Sequence, residues 1–231
     1  MTQQDVLLGI LWFATFVISV TLHEAAHAFV ALKLGDRTAY LGGQVTLDPR
    51  PHIRREPFGM VLVPILSLVF LGLPMGWASA PYDPSWADQY PRRAAIMAAA
   101  GPISNLLIAI VAGVGLYVGF SSGHFVLTEK ELLFRLVCAT GNEEGLSRGL
   151  GMVLSTFFGL NLLLFVFNLI PVPPLDGAAI LPLALSRRAA HRYQEFMRDP
   201  LFSILGILIA WQLVHEIFWP VYFFAVDLAY P

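Results

Sequence analysis

The hydrophobic positions of this chain are gathered into long runs separated by short polar stretches. Four runs are long enough to cross roughly 30 Å of hydrocarbon as helices. They lie at about residues 6–32, 94–119, 151–171 and 201–226. The pattern therefore predicts an all-α polytopic membrane protein with four main transmembrane helices.

A fifth apolar run, residues 59–75, is short and contains two prolines. It leads into "GWASAPYDPSW", whose further prolines favour extended or turning backbone over helix. Non-helical backbone at membrane depth is tolerable only where protein or a water cavity shields it. We therefore predict a re-entrant segment with short β-strands over roughly residues 40–90, which returns to the side of the membrane it came from.

The distribution of Lys and Arg agrees with this topology, because these residues accumulate in cytoplasmic loops. If residues 59–75 crossed the membrane, the 14 basic residues would divide eight against six. If the segment returns, seven lie in residues 33–93 and four in residues 178–200 on one side, against three on the other. We therefore expect an external N-terminus, with the cytoplasmic loops after the first and third spans.

Composition supports the membrane assignment and excludes one class of partner. Of the 231 residues, 57% are hydrophobic and only 13% charged, which is more apolar surface than a soluble core could bury. The net charge of -2 and the lack of a long basic run argue against nucleic acid as a partner. The sequence does not indicate an oligomeric state.

Two polar stretches predict helices outside the membrane. Residues 128–141, "TEKELLFRLVCATG", have a capping-box pattern ahead of an apolar run and predict a short helix on the outer surface. Residues 186–200, "SRRAAHRYQEFMRDP", predict a basic cytoplasmic helix that stops at Pro200. Three loop histidines are expected to be solvated, namely His52, His124 and His191.

The first apolar run ends in "HEAAH", residues 23–27. His23 and His27 are four apart and project from one helix face, so that both imidazoles can bind one ion with Glu24 beside it. This is the H-E-x-x-H zinc pattern. The side chains lie on the order of 10 to 15 Å below Lys33, where the helix should emerge from the membrane. The alternative is a hydrogen-bonded contact between helices without metal.

A catalytic zinc needs a third protein ligand, and the best candidate is Asp176 in "NLIPVPPLDG", residues 168–177. Three prolines break the helix there, and Gly177 permits backbone geometry that other residues resist. Asp176 and His27 both lie near the C-terminal ends of their spans. They share a depth only if those spans are parallel, which requires one full crossing between them.

These motifs closely resemble those of the site-2 protease family, the intramembrane zinc metalloproteases of the M50 type. The stretches that carry the resemblance extend over about residues 15–180 and are "HEAAH", "LGGQVTLDPRPHI", "GWASAPYDP", "AAAGPISNLL" and "NLIPVPPLDG". The resemblance implies one zinc ion per chain, with the metal ligands His23, His27 and Asp176. It also implies that Glu24 is the catalytic acid/base and that Asn168 and Asn105 lie close to the site.

Two stretches depart from the family pattern. Ser79 stands where many relatives have lysine, and "HIRREPFG" replaces a more usual His-Ile-Asp-Pro-Ile-Gly. Both lie outside the ligand motifs, so they bear on substrate selection more than on catalysis. We also expect a minimal form without PDZ or CBS domains, as one membrane-embedded domain over residues 1–231. Its catalytic core would be about residues 6–180, with a cytoplasmic helix and the last span in residues 181–231.

The predicted function is cleavage of transmembrane segments of other proteins within the bilayer, by zinc-activated water and Glu24. Asn168 is a second candidate catalytic residue that bonds the oxyanion or aligns the substrate, although an amide that caps the broken helix is equally compatible. Residues 42–47 are predicted to offer an edge strand to the substrate. For Asn105, a core hydrogen bond competes with a substrate contact.

Two other functions fit the same sequence. One is a zinc-binding but inactive membrane protein that binds helices, and the other is a zinc hydrolase acting on a lipid-linked substrate. The expected location is a bacterial inner membrane. In the last span, His215 and Glu216 form an uncommon ionisable pair, interpreted as a polar contact between helices or as part of a gate.

Overall fold

The computed structural model describes residues 3–125, 145–197 and 200–229. These residues form ten α-helices with a π-helical turn, Phe58–Leu62, before the fourth and a 3-10 turn, Leu181–Ala184, after the eighth. In chain order the helices are α1 (Gln3–Leu34), α2 (Thr38–Leu41), α3 (Pro49–Arg55), α4 (Val63–Leu71), α5 (Pro84–Gln89), α6 (Pro91–Ser121), α7 (Leu146–Asn168), α8 (Asp176–Ile180), α9 (Arg187–Met197) and α10 (Pro200–Ala229).

Four of the described helices, α1, α6, α7 and α10, are long and apolar enough to cross a membrane. They correspond to the four predicted spans, which are therefore confirmed. The third span ends at Asn168 instead of residue 171, because Pro171 and the prolines after it disfavour helical backbone in the residues before them. The basic helix predicted in residues 186–200 is α9, whereas the helix predicted in residues 128–141 lies outside the described residues.

Side-chain contacts give the directions of the long helices. Helix α6 is antiparallel to α1. Residues nearer the C-terminal end of α1 bond residues nearer the N-terminal end of α6. The bonded pairs are His23 with Asn105, His27 with Met97, and Leu34 with Arg93. Leu34 at the end of α1 therefore lies at the same end of the bundle as the start of α6.

Helices α1 and α7 are parallel. Ser19 of α1 bonds Asn161 of α7, and His27 further along α1 contacts Asp176 just beyond α7. The two ligand motifs can lie at the same depth only if α1 and α7 are parallel, as they are here. Helix α6 provides the single crossing between them that this direction requires. Helices α6, α7 and α10 pack through a core that includes Ala109, Ala112 and Leu116 of α6, Phe158, Leu162 and Val166 of α7, and Phe218 and Tyr222 of α10.

The predicted re-entrant segment with short β-strands is not supported. Residues 38–90 form short helices, turns and irregular chain, and the described part of the protein contains no strand. Residues 42–47, predicted to be an edge strand, form turns directly after α2. The backbone N–H groups of Gly42 and Gln44 donate to the carbonyls of Thr38 and Ala39, which explains why they do not form a ladder.

The fifth apolar run forms the π-helical turn and α4. Together these 14 residues rise about 21 Å, which is less than the hydrocarbon thickness. Gly72, at φ +76°, ends the helix, and the chain then runs back along it. The backbone N–H of Met75 donates to Ser67 Oγ at 2.7 Å, and that of Trp77 donates to the Gly59 carbonyl at 3.1 Å.

One predicted solvated histidine is buried. His52 lies in α3, is 1% exposed, and its Nε2 is 3.2 Å from the Thr46 carbonyl, so the prediction for His52 is wrong. Helix α3 packs against α1, and the ring bonds the Thr46 carbonyl, so its burial depends on tertiary packing that its polar neighbours did not indicate. His124 and His191 are exposed, as predicted.

Asp36 joins the end of α1 to the chain that leads into α5. Its carboxylate is 4% exposed and accepts three hydrogen bonds. Two come from the backbone N–H and hydroxyl of Thr38, at 2.8 and 2.6 Å. The third comes from the backbone N–H of Asp83 at 3.0 Å. This side chain therefore holds residues 38–83 against the end of the bundle that carries the ligand motifs.

Replacing Asp36 by Ala should lower the free energy of unfolding by about 2–3 kcal/mol, because buried donors lose a charged acceptor. Thermal unfolding in detergent, followed by tryptophan fluorescence, measures the effect. The matched control is Asp48→Ala, which removes the exposed N-cap of α3 and should cost about 1 kcal/mol. Equal losses in the two variants would contradict the assignment of Asp36 as the tie between α1 and residue 83.

Candidate metal centre

The "HEAAH" motif lies on one turn of α1 inside the helical bundle. His23, Glu24 and His27 are all buried, with exposed fractions of 5 to 7%. The two imidazoles project from one face as predicted, and their Nε2 atoms are 3.0 Å apart. The structure thus brings both predicted histidine ligands to one point.

Asp176 reaches the same point from the other side. Helix α7 ends at Asn168, the proline-containing turn reverses the chain, and Asp176 is the first residue of α8. Its Oδ2 lies 3.0 Å from His23 Nε2 and 3.3 Å from His27 Nε2. Gly177 assists by its small size, since a Cβ there would overlap the Leu169 carbonyl. Gly177 therefore allows the start of α8 to lie close to the backbone at the end of α7.

The backbone fixes which nitrogen of His27 faces Asp176. His27 Nδ1 is 2.8 Å from the carbonyl oxygen of Met97 in α6. A carbonyl can only accept, so Nδ1 must carry the proton and donate it. The Nε2 atom of a neutral His27 then presents a lone pair to the site.

The orientation of His23 follows from a longer chain of hydrogen bonds. Asn161 Nδ2 donates to the Phe157 carbonyl and to Ser19 Oγ, both at 2.8 Å, so Asn161 Oδ1 is left as an acceptor. That oxygen accepts from Asn105 Nδ2 at 2.9 Å, which leaves Asn105 Oδ1 to accept from His23 Nδ1 at 2.6 Å. His23 Nε2 therefore also presents a lone pair to the site.

Three electron-pair donors thus converge, His23 Nε2, His27 Nε2 and Asp176 Oδ2, and no proton lies between them in this arrangement. Such acceptors repel one another unless a cation lies among them. Tetrahedral zinc with ligands at about 2.0–2.1 Å separates its ligand atoms by roughly 3.3 Å. The observed separations of 3.0, 3.0 and 3.3 Å are close to that value. The residues present therefore fit a zinc ion, with a fourth position left for water.

The remaining predicted site residues differ in placement. Glu24 is buried on the same turn of α1, and its carboxylate makes no hydrogen bond to another described residue. Asn105 is fully buried and makes the core hydrogen bond to His23 that the sequence left as one alternative. Asn168 Nδ2 donates to the Leu164 carbonyl of its own helix at 3.0 Å, so its part in catalysis stays a prediction.

Sequence reasoning missed Asn161 and Ser19. Both are completely buried, and both belong to the hydrogen-bonded chain that orients His23. The available signal was Asn161 itself, an amide in the apolar run "GLNLLLF" where polar groups are costly. Its partner was not readable, because Ser19 lies 142 positions away in the sequence.

The two stretches that depart from the family pattern, at Ser79 and at residues 52–59, contact each other. Ser79 Oγ donates to Glu56 Oε1 at 2.7 Å, and Arg55 Nε donates to the Ser79 carbonyl at 3.1 Å. Glu56 and Arg55 belong to the divergent stretch "HIRREPFG". The two changes are therefore one structural unit on the exposed surface.

Gly101 of α6 provides the space for both imidazoles, since a Cβ there would overlap His27 Nε2 and His23. Gly101→Ala should therefore displace the ligands and reduce zinc affinity at least about tenfold, as does the loss of other ligand-orienting groups. Zinc bound per purified chain, titrated against a competing chelator, measures this. Gly149→Ala is the control, because a Cβ there meets nothing within 4 Å, and similar zinc loss in both variants would contradict the prediction.

Asn161→Ala should weaken zinc binding by about 10- to 100-fold, because Asn105 loses the bond that orients its oxygen toward His23. The chelator titration again gives the affinity. Asn168→Ala is a matched control on the same helix, since within the described residues its amide bonds the Leu164 carbonyl and no other group. The orienting chain would be refuted if zinc affinity were unchanged in Asn161→Ala or fell equally in both.

Comparison with known proteins places the chain in a family. The model of peptidase family M50 matches residues 11–211. The chain is 37% identical over 171 residues to "Putative zinc metalloprotease YwhC" of Bacillus subtilis (strain 168), covering 72% of this chain and 65% of that protein. It is 31% identical over 170 residues to "Putative zinc metalloprotease Rip2" of Mycobacterium tuberculosis (strain ATCC 25618 / H37Rv), covering 73% and 54%.

A further relative of the same name, from Mycolicibacterium smegmatis (strain ATCC 700084 / mc(2)155), is 26% identical over 215 residues, which are 93% of this chain and 73% of that protein. The matches to YwhC and to the Mycobacterium tuberculosis protein thus span less than two thirds of those relatives. No solved structure matches the chain significantly. Because the family model matches most of its length, this chain belongs to peptidase family M50.

Proposed function

We propose that this protein is an intramembrane zinc metalloendopeptidase that cleaves transmembrane segments of membrane proteins. The observation that carries the proposal is the convergence of three lone-pair donors, His23, His27 and Asp176, beside a buried glutamate. A site of two histidines and one carboxylate with an open fourth position is the ligand set of a hydrolytic zinc. Membership in family M50 and the names of the relatives support the same activity.

In this proposal three residues bind the metal ion and a fourth transfers protons. When bound, zinc supplies Lewis acidity, which makes water acidic and polarises a peptide carbonyl. His23, His27 and Asp176 hold that ion, with both imidazoles kept in the metal-binding tautomer by Met97 and Asn105. Glu24 takes the proton from the attacking water and delivers it to the leaving amine. Because no hydrogen bond to a described residue holds its carboxylate, Glu24 is free to do both.

The position of the site favours a membrane substrate. The ligands lie among helices long enough to span a bilayer, and the outward faces of these helices are apolar. The Asp176 side chain is 21% exposed, compared with 8 to 9% for the histidines, so the site lies nearest the protein surface at Asp176, although its Oδ2 is buried. A substrate helix must unwind there, since its carbonyls are otherwise occupied by its own hydrogen bonds. The bacterial relatives support a bacterial inner membrane as the location.

Asn168 is the second proposed catalytic residue. It ends α7, eight positions before Asp176, and only its Nδ2 is engaged, by the Leu164 carbonyl. Replacing it by Ala should lower kcat and leave zinc affinity unchanged if its amide contacts the substrate. A normal kcat in that variant would assign it to capping the helix alone.

The proposal is tested by producing the protein and its Glu24→Gln variant in a bacterial membrane with a panel of single-span substrates. Loss of the general acid/base should reduce cleavage by about 10²- to 10⁴-fold while zinc stays bound. Glu56→Gln is the matched control, since the same chemical change is made at a surface carboxylate that bonds Ser79. Cleavage fragments are counted by mass spectrometry, and zinc per chain is measured in the same preparations.

The outcomes separate the competing functions. Equal fragment yields from the native and Glu24→Gln forms would remove the protease proposal and leave a zinc-binding protein that holds helices. Zinc-dependent, Glu24-dependent turnover of lipid-linked compounds, with no cleaved protein, would favour a lipid-directed hydrolase. Absence of zinc from the native protein would refute the metal site itself.

A further inference from the structure

Helix α10 carries two ionisable side chains in the middle of its lipid-facing surface. His215 and Glu216 lie halfway along Pro200–Ala229, and their side chains are 74% and 82% exposed. Their closest polar atoms, Nδ1 and Oε1, are 3.8 Å apart, which is too long for a hydrogen bond. The sequence left a polar contact between helices and part of a gate as alternatives here, and no other helix in the described part of the chain supplies a contact.

The pair lies on the face of α10 that points away from the bundle. Ala210, Phe218 and Tyr222 are buried against the other long helices. Gln212 is three and four positions before the pair and is also exposed, so the three polar groups form one outward stripe. The exposed residues nearest to them along α10 are apolar, as expected of a surface in contact with lipid, and include Leu208, Trp211, Leu213 and Ile217.

A carboxylate and an imidazole at this depth are costly in hydrocarbon unless each finds a polar partner. Ionisable residues in spanning helices therefore normally face a cavity or another helix. Gln212, His215 and Glu216 are exposed and face neither a cavity nor another helix among residues 3–125, 145–197 and 200–229. These side chains therefore need a polar partner from another molecule in the membrane.

We propose that the α10 stripe is the interface between two copies of this protein, related by a twofold axis along the membrane normal. In such a dimer, equivalent residues lie at equal depth and each contact is made twice. His215 and Glu216 differ in height by only about 1.5 Å. His215 therefore meets the partner's Glu216, Glu216 meets the partner's His215, and both carboxylates gain a donor.

Complementarity selects a second copy over an unrelated helix. The His215 imidazole can donate and the Glu216 carboxylate can accept at nearly the same depth, so this part of the stripe is its own complement under twofold symmetry. The catalytic proposal is not needed for this inference, because α10 supplies no ligand to the metal site. Failure of either proposal leaves the other standing.

The test uses two full-length chains with different tags, produced together in a bacterial membrane. Glu216→His gives one chain two imidazoles at the stripe, and His215→Glu gives the other two carboxylates. Each variant should pair poorly with itself, whereas the mixed pair regains both contacts. The mixed pair should be recovered about tenfold more than either self-pair, since two interhelical hydrogen bonds form together.

Association is measured by energy transfer in the membrane and by co-purification in mild detergent. The swapped variant, His215→Glu with Glu216→His in one chain, should self-associate like the native protein and shows that the substitutions are compatible with folding. Val111→Ala is the control for altering an exposed, apolar side chain on another helix, α6. It should leave association unchanged.

Three results would overturn the proposal. They are a native protein that is monomeric in the membrane, mixed and self-pairs that associate equally, and a swapped variant that stays monomeric while the native protein dimerises. Capture of a different membrane protein by the native stripe, with no self-association, would also reject the second copy as its occupant.

Discussion

The structure depends on two backbone carbonyls that dictate where protons lie in the metal centre. The carbonyl of Met97 fixes His27 directly, and that of Phe157 fixes His23 through Asn161 and Asn105. A carbonyl has no proton to give, so neither orientation can be reversed without leaving a buried group unpaired. The packing of α6 and α7 around α1 thus determines which lone pairs are available to a metal ion.

Packing also limits which residues can surround this centre. Gly101 lets α6 approach α1 closely enough for the Met97 carbonyl to reach His27. Gly177 lets α8 lie against the end of α7. On the same end of the bundle, Asp36 ties residues 38–83 to α1 through three hydrogen bonds. Close backbone contacts within the bundle therefore position the centre. The hydrogen bonds of Asp36 fix the neighbouring chain at the same end of the bundle.

The long helices and the shared face of His23 and His27 could be predicted from sequence, because apolar run length and helical spacing are local properties. The closeness of Asp176 to them followed from the expected parallel course of α1 and α7, and its binding of metal stays a prediction. Residues 38–90 could not be predicted, since their backbone groups are bonded by distant side chains such as Asp36 and by local turns where strands were expected. Asn161 was visible as a polar residue in an apolar helix, yet its meaning depended on Asn105 and Ser19. Residues that act through a neighbour leave no spacing pattern of their own.

The order of the ligands along the chain has a consequence for biosynthesis. His23 and His27 emerge from the ribosome with the first helix, whereas Asp176 follows only after α6 and α7 have been made. Until then the nascent chain has the two imidazoles without the carboxylate that lies beside them in the folded protein. The three side chains can therefore come together only after α1, α6 and α7 have all been synthesised.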